Sequence, residues 1–540
     1  MTGCTPVVRD LDDVRQVIAA TCFPTPPPGA STGQVGLEVE TFPIAVLADG
    51  TPHRRVPIAQ LVALLDRLQL SGELPTLLPR QRSPALAPTY PLASGGTLTF
   101  EPGGQVEHST APHPTAAAAL ADANALAATL ATAFGAHGIA LASCGFDPWH
   151  PPGRVPQQLR APRYPAMAAY FARRGRHGAA MMRCSAALQV NLDLGAAQPE
   201  RRERWLVANL VAPLALATFA ASPGPGVVSR RGRVWQRLDP TRTGFPRRLL
   251  DGSSADPVEQ LTDCALNADV VLFCRPAPGG SDSPGPVDNL RRPTAGIVPL
   301  DLGKSSKIPV DSAVDRLVDT VDPVDGGPVD NAGSPHPELD SLTSGGPPQR
   351  AETEAGSWEP GRPGWTFGDW LRDGHPAHGP PTADDLRYHL STLFLEVRPR
   401  GHLELRSVDA LPARLRPVPV VLLAGLLEDP RARAQVRAVL ERWRPRLPEL
   451  WQRAACDGVA DPELCALATE VWSYALEGAR RLPPPYLAAA QVALTECFID
   501  RLTLRGQCPA DELRAALALG PAAALAWASE PVAVPADSVR

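Results

Sequence analysis

The pattern of apolar and polar positions predicts strands alternating with helices, followed by a long helical region. Leu11–Thr21 and the alanine-rich stretch Thr115–Ala136 have helical spacing. The apolar run Trp205–Ala221 is broken by polar and helix-disrupting residues and is short for a membrane span, so it predicts a buried helix. From Leu411 onward, Leu, Ala and Arg recur at helical spacing, which predicts a C-terminal helical region.

Four other segments alternate apolar and polar residues, as strands with one buried face do. They are Val35–Glu40, Thr97–Glu107 with a turn at Pro102–Gly104, Leu188–Asp193, and the hairpin Leu395–Arg406. Such segments predict a mainly antiparallel sheet.

The polar positions of these strands are unusually acidic. Five glutamates share them: Glu38, Glu40, Glu101, Glu107 and Glu404. A solvated sheet face is the alternative interpretation, but such a face normally mixes both charge signs. Converging carboxylates repel one another unless divalent cations neutralise them, and oxygen ligands suit hard ions such as Mg²⁺. Arg398 and Arg406 stand beside these positions, where they suit a phosphate or a carboxylate.

Composition narrows the chemistry further. The chain has 540 residues, 44% of them hydrophobic, and its net charge of −5 offers no basic footprint for nucleic acid or an anionic membrane. Its lysines are Lys304 and Lys307 alone, so arginine, backbone N–H groups or metal ions must meet any phosphate. The ten cysteines form no C-x-x-C pair and indicate reduced thiols. With no hydrophobic signal core in Met1–Asp10, we expect a soluble, cytoplasmic protein.

Composition also divides the chain. Residues 276–360 are rich in Pro, Gly and Asp and repeat the triplet Pro-Val-Asp, which predicts a disordered insertion. We therefore expect residues 1–275 and 361–410 to form one catalytic domain around this insertion, and residues 411–540 to be helical.

Several strings carry a resemblance to a known family. They are Gly36–Glu40, Thr97–Glu107, Met181–Asn191, Ser222-Pro223, Asp239–Arg242 and His389–Asp409. In these strings the chain resembles the plant-type glutamate–cysteine ligase family, and most of all the actinobacterial members that serve ergothioneine biosynthesis. The resemblance runs from about Val35 to Pro412, and residues 276–360 depart from it.

The resemblance implies an α+β fold: a glutamine-synthetase-like, curved, mainly antiparallel sheet with helices on one face, plus the C-terminal helical region. It implies joining of the glutamate γ-carboxylate to the cysteine amine through γ-glutamyl phosphate. ATP is then a co-substrate, and Mg²⁺ is the cofactor, with Mn²⁺ as its alternative.

Residue roles are implied in the same way. The five glutamates match the family's acidic strand positions and are the expected metal ligands. Gln189 and Asn191 match positions that line the substrate site, and Arg406, then Arg398, match residues expected to stabilise the transferring phosphoryl group. Arg242 either contacts substrate or closes a loop against Asp239. Structural roles are expected for the remaining candidates: Met181, Met182, Cys184, His108, His389 and His402.

Two other functions remain open at this point. A ligase of the same family could couple glutamate to another amine, because no local motif fixes the second substrate. A non-catalytic relative could bind ligand and hold a partner through residues 276–360, although retention of the repelling glutamates argues against it. The sequence does not determine the oligomeric state, the metal number, or whether the product feeds ergothioneine or glutathione.

Overall fold

A computed structural model describes residues 6–25, 33–81, 87–275 and 357–531. The predicted insertion lies outside these residues except for 357–360, which form a strand. The strands within the described ranges are β1 (Val35–Val46), β2 (Pro52–Arg55), β3 (Tyr90–Pro91), β4 (Thr97–Phe100), β5 (Val106–Ser109), β6 (Ile139–Ala142), β7 (Leu188–Asp193), β8 (Thr243–Gly244), β9 (Leu272–Arg275), β10 (Ser357–Pro360), β11 (Phe394–Leu395), β12 (Val397–Pro399) and β13 (His402–Leu405).

The main sheet is antiparallel throughout and has the order β12-β13-β7-β1-β5-β4-β3, with β2 and β6 paired to the second half of β1. Its central strand, β1, is twelve residues long and pairs with β5 on one side and β7 on the other. The four segments that alternate in the sequence therefore meet in one sheet, as predicted.

Helices account for most of the remaining described residues. Those before the C-terminal region are α1 (Leu11–Cys22), α2 (Ile58–Ser71), α3 (Ala116–Gly135), α4 (Arg163–Ala172), α5 (His177–Cys184), α6 (Gln198–Thr218), α7 (Arg230–Gln236), α8 (Arg247–Leu250), α9 (Pro257–Asn267), α10 (Phe367–Asp373) and α11 (Ala383–Ser391). The helices of the C-terminal region are α12 (Pro417–Glu428), α13 (Pro430–Leu440), α14 (Leu447–Cys456), α15 (Pro462–Arg481), α16 (Ala489–Arg501), α17 (Pro509–Leu519) and α18 (Pro521–Ala528). The predicted α+β class and the helical C-terminal region are confirmed.

The apolar sides of the strands form the core. Leu37 and Val39 of β1 and Val190 of β7 are buried in one cluster with residues of α3, α6 and α12. α12 is apolar on all sides and is buried along nearly its whole length, as expected of a helix at the centre of a bundle. This packing leaves the acidic side of the sheet facing away from the core.

One helix in the described part of the chain, α3, is long and apolar enough to cross a membrane by length and composition. Nine of its residues are buried, and several of them join the clusters around β1 and β6. α3 is therefore explained by its place in the core.

Strands β9 and β10 frame the predicted insertion. They pair antiparallel, with Leu272 opposite Pro360 and Arg275 opposite Ser357. The described chain breaks off at Arg275 and resumes at the residue paired with it, Ser357.

Candidate active site

Strand register aligns the polar side chains of the sheet into rows. In one row Glu38 lies between Gln189 of β7 and Ser109 of β5. In the next row Glu40 lies directly opposite Glu107. Residues directly opposite in an antiparallel pair have Cβ atoms about 5 Å apart, so the backbone itself brings these carboxylates together.

Three of the predicted metal ligands meet closely. One carboxylate oxygen each from Glu38, Glu40 and Glu107 lies within 4.8 Å of the other two. Three such oxygens fit a divalent cation with oxygen ligands, such as Mg²⁺ or Mn²⁺. The donor set therefore agrees with the cofactor expected from the sequence.

Glu101 joins this group from the end of β4. It shares a side-chain hydrogen bond with Glu107, which partly offsets the effect of burial on the pKa of Glu101 and adds to the effect of burial on the pKa of Glu107. We call Glu38, Glu40, Glu101 and Glu107 the carboxylate cluster.

Burial and mutual repulsion raise the pKa of every member of the cluster. Burial, Glu107 and Glu404 raise the pKa of Glu38 to about 8. Burial and Glu38 raise the pKa of Glu40 to about 7, and burial and Glu40 raise that of Glu101 to about 7. Burial, followed by Glu101 and Glu40, raises the pKa of Glu107 well above its usual range. A bound divalent cation would remove this repulsion and release protons.

The fifth glutamate, Glu404, has a different environment. Arg398 donates to it at 2.8 Å and Arg400 at 3.2 Å, and Arg406 is also hydrogen-bonded to it. Burial alone would raise the pKa of Glu404, but these three arginines together hold it well below its usual range. We call Arg398, Arg400 and Arg406 the arginine cluster.

Gln189 joins the two clusters. Its amide nitrogen donates to Glu38 and, at 3.4 Å, to Glu40, and its amide oxygen accepts from Arg406 at 2.9 Å. Asn191 lies opposite Glu404 on one side and Gly36 on the other, and its Oδ1 is buried without a partner among the described residues. A buried acceptor without a donor fits a ligand N–H or O–H group.

The turn between β4 and β5 presents Glu101 and Glu107, and it is held from outside the hairpin. Arg55 donates to the carbonyl of Gly103 at 2.9 Å, and Gln158 donates to the same oxygen at 3.1 Å. A Cβ atom on Gly103 would lie 2.2 Å from the backbone oxygen of Arg183, so this close packing requires glycine.

Arg242 does not reach either cluster. It is 1% exposed, and its side chain donates to Asp239 at 2.8 Å, to the carbonyl and hydroxyl of Thr392 at 2.9 and 3.1 Å, to Tyr170 at 3.5 Å, and to the carbonyl of Asp269. These five hydrogen bonds use all its donors. The structure therefore favours the loop-closing role over the predicted substrate contact.

Sequence reasoning missed three cationic residues near the glutamates. Arg163 at the start of α4 acts on the pKa of Glu101, and Arg231 of α7 acts on that of Glu40. Arg231 is 4% exposed and donates to the backbone carbonyl of Arg406 at 2.7 Å. The third, Arg400, lies within the predicted hairpin Leu395–Arg406. The acidic face thus has more compensating cations than the strand pattern indicated, because two of the three come from helices whose packing the sequence does not reveal.

The predicted structural residues are buried, except for His402, which is half-buried. Met181, Met182 and Cys184 lie in the core. His389 Nε2 donates to the carbonyl of Ala265 at 2.9 Å, and burial lowers the pKa of this histidine to about 3.

The sequence matches the model of a known protein family over most of its length. The family model described as glutamate-cysteine ligase family 2 matches residues 34–528. Glutamate–cysteine ligase EgtA of Mycolicibacterium smegmatis is 31% identical over 78% of this chain and 82% of its own length. The Mycobacterium tuberculosis (strain H37Rv) protein of the same name is 29% identical over 94% of this chain and 90% of its own.

More distant matches are partial. The chloroplastic glutamate–cysteine ligase of Medicago truncatula is 30% identical over 33% of this chain and 35% of its own length. Among solved structures, the complex of the prokaryotic ubiquitin-like protein Pup with its ligase PafA matches with a TM-score of 0.34 and 9% identity, over 90% of this chain and 69% of that chain. A structural similarity of that size supports no inference about this chain.

Proposed function

The chain belongs to glutamate–cysteine ligase family 2, and we propose that it joins the γ-carboxylate of L-glutamate to the amine of L-cysteine with hydrolysis of ATP to ADP and phosphate. The observation that carries the proposal is the meeting of the carboxylate cluster and the arginine cluster on one face of the sheet. This face combines groups for a divalent cation with groups for anions.

The first step must bring two anions together. The glutamate γ-carboxylate attacks the γ-phosphorus of ATP, giving γ-glutamyl phosphate and ADP. The arginine cluster would bind and orient the phosphate and carboxylate oxygens. The carboxylate cluster would hold Mg²⁺, which would screen the negative charges of the two reacting anions.

The second step forms the amide. The cysteine nitrogen attacks the acyl carbon, the bond from that carbon to the phosphate oxygen breaks, inorganic phosphate leaves with the electron pair, and the amine loses a proton. No covalent bond to the protein is needed, in keeping with a chain that has two lysines. Asn191 Oδ1, a buried acceptor on the same face, would orient an N–H group of a substrate.

The proposal is tested by phosphate release from ATP and Mg²⁺ with glutamate, with and without cysteine, and by mass spectrometry of the products. We expect cysteine-dependent release and γ-glutamylcysteine. Release that depends on glutamate but not on cysteine would indicate another amine substrate. Absence of release from folded protein that binds Mg²⁺ would contradict ligase activity and favour a ligand-binding scaffold.

Variants sharpen this test. Glu101→Gln and Glu107→Gln should each lower turnover by about 10²-fold or more, because a neutral amide is a weaker metal ligand and leaves the phosphate charge unscreened. Glu496→Gln, at an ion pair with Arg480 far along the chain in α16, is the matched control and should leave turnover unchanged.

We further propose that the product serves ergothioneine biosynthesis in the cytoplasm. The resemblance to actinobacterial family members supports the pathway, and the eight described cysteines, all of them free thiols, support the compartment. Deleting the gene should abolish cellular ergothioneine, measured by mass spectrometry, and supplied γ-glutamylcysteine should restore it. Unchanged ergothioneine in the deletion strain would contradict the pathway.

A further inference from the structure

Buried arginines in the described part of this protein have carboxylate partners, with one exception. Seven arginines of these ranges are no more than 7% exposed: Arg55, Arg201, Arg204, Arg231, Arg242, Arg416 and Arg433. Six of them have a carboxylate oxygen within 4 Å. Arg201, 5% exposed, has none among the residues that the structure describes. A buried charge without a counter-ion is costly, so its surroundings need an explanation.

The protein contacts of Arg201 are neutral. Its Nε donates to the carbonyl of Gly195 at 2.9 Å and its Nη1 to the carbonyl of Phe23 at 3.4 Å. Its Nη2 donates no hydrogen bond within the described residues. Burial lowers the pKa of Arg201 and outweighs the opposing effects of Asp193 and Glu200.

Nearby carboxylates are engaged elsewhere. Asp193 accepts from the backbone N–H groups of Gln34 and Gly195 at 3.0 and 2.7 Å. Glu200 accepts from Arg204 at 3.0 Å. Residues 26–32, which follow the contact segment in the chain, contain neither Asp nor Glu. Among the described residues, Asp193 and Glu200 act on the charge of Arg201 only from a distance, and neither forms an ion pair with it.

A cavity of about 550 Å³ lies beside Arg201, between the C-terminal end of α1 and the first turns of α6 and α9. This volume is within the usual range for small-molecule sites. One part of its wall is apolar, including Ala19, Phe23 and Val258. Arg202 and Asp256 also line it, so the wall offers two positive groups and one negative group.

We propose that this cavity binds a small carboxylic acid with an apolar body, whose carboxylate pairs with Arg201. A singly charged head group matches the single buried cation, and the apolar wall matches a short hydrocarbon chain. A doubly charged phosphate is disfavoured because Asp256 lines the same space. This site is distinct from the carboxylate and arginine clusters and does not depend on the proposed reaction.

The test uses sodium hexanoate as the probe, with inorganic phosphate and hexan-1-ol for comparison. Saturation-transfer difference NMR on the full-length protein, with glutamate in excess to occupy the clusters, measures probe contact and affinity. We expect saturable hexanoate binding that is weaker by about tenfold in Arg201→Gln, because a hydrogen-bonded ion pair is lost. Arg480→Gln, at an exposed arginine that does not line the cavity, is the control and should leave the affinity unchanged.

A second variant protects the test against misfolding. Ala19→Phe should fill the cavity and abolish binding while leaving Arg201 in place. Equal hexanoate affinity in the wild-type protein, Arg201→Gln and Ala19→Phe would overturn the proposal, as would the absence of saturable binding to the wild-type protein. Phosphate or hexan-1-ol binding as tight as that of hexanoate would overturn the carboxylate assignment.

Discussion

Glu107 and Glu404 lie on the same face of one sheet, yet their neighbours move their pKa values in opposite directions. Glu107 has other glutamates beside it, whereas Glu404 accepts hydrogen bonds from three arginines. The pKa of Glu404 is therefore held well below its usual range, while burial and the neighbouring glutamates raise that of Glu107 well above it. Without a cation, the glutamates of the carboxylate cluster repel one another, and the arginine cluster relieves this repulsion only in part.

This repulsion predicts how stability changes with pH. Glu38 has a folded-state pKa of about 8, and Glu40 and Glu101 of about 7, against 4.5 for an ordinary glutamate. Between about pH 4.5 and 8 the folded metal-free protein therefore binds more protons at these groups than the unfolded chain does. Their contribution to the free energy of unfolding is fully present below pH 4.5 and is lost as pH rises through 8.

Thermal unfolding in EDTA from pH 5.5 to 8.5 measures this effect. We expect the midpoint temperature to fall with rising pH, and millimolar Mg²⁺ to restore most of the loss by neutralising the cluster. Glu107→Gln should show a shallower fall and a smaller response to Mg²⁺. The explanation fails if the wild-type protein and this variant have the same pH dependence and the same response to Mg²⁺.

Substitution of Arg242 should lower the stability of the protein without changing substrate binding. Arg242→Lys keeps the charge but loses most of the five hydrogen bonds, leaving Asp239 and the Thr392 carbonyl poorly satisfied. Breaking a buried pair costs about 3–5 kcal/mol. We expect a lower midpoint of urea unfolding, with KM for glutamate, cysteine and ATP unchanged within about twofold. A raised KM for one substrate at unchanged stability would instead support a substrate contact.

At this scale, the sequence was informative about residues on strands. Alternation placed Glu38, Glu40 and Glu107 on one face, and the register then brought them together. It could not place Arg163 or Arg231, because helix packing against a sheet depends on contacts distant in sequence. It also could not show that all five N–H donors of Arg242 are used within the protein.

Among the elements, the turn at Pro102–Gly104 has a strict steric requirement for glycine. It was predicted from its proline and glycines, but its packing against Arg183 and its anchoring by Arg55 are tertiary features. A Cβ atom added to Gly103 would lie only 2.2 Å from the carbonyl oxygen of Arg183, which leaves no space for a side chain. The position of this turn sets the positions of Glu101 and Glu107.

Gly103→Ala should therefore displace both carboxylates. We expect kcat/KM to fall by about 10²-fold, as for misplacement of catalytic groups by about 1 Å, together with weaker Mg²⁺ binding measured by calorimetry. Gly153→Ala is the control, because a Cβ there has no atom within 4 Å. Wild-type Mg²⁺ affinity in Gly103→Ala would contradict this role of the turn.

Longer elements were easier to predict than short ones. The extents of α1, α3 and β7 agree with their sequence patterns to within one residue. The two-residue strands β8 and β11 pair in parallel and were not predicted, since two residues show no periodicity.

At the scale of the whole molecule, the paired strands β9 and β10 lie directly before and after residues 276–356 in the chain. Because Arg275 and Ser357 are paired, a short turn can join them without moving the strands. Replacing residues 276–356 by Asn-Gly should leave turnover within about twofold of the full-length protein. A large loss of turnover in folded protein would assign residues 276–356 a part in catalysis.

The α+β organisation followed from local patterns, but the strand order did not. Neighbours in sequence, such as β4 and β5, form hairpins, whereas the pairing of β1 with β7 joins segments about 150 residues apart along the chain. Such pairings depend on the total apolar surface that the folded sheet buries. A local sequence pattern carries no information about that quantity.

The order of strands in the sheet also has a consequence for biosynthesis. Every member of the carboxylate cluster precedes residue 108, whereas the arginine cluster lies between residues 398 and 406 on β12, β13 and the segments that adjoin them. On the ribosome, the acidic half of the site therefore emerges long before its basic half. In the nascent chain, the glutamates are present before the arginine cluster that lies beside Gln189. The face that combines cation-binding and anion-binding groups is therefore complete only when translation has passed Arg406.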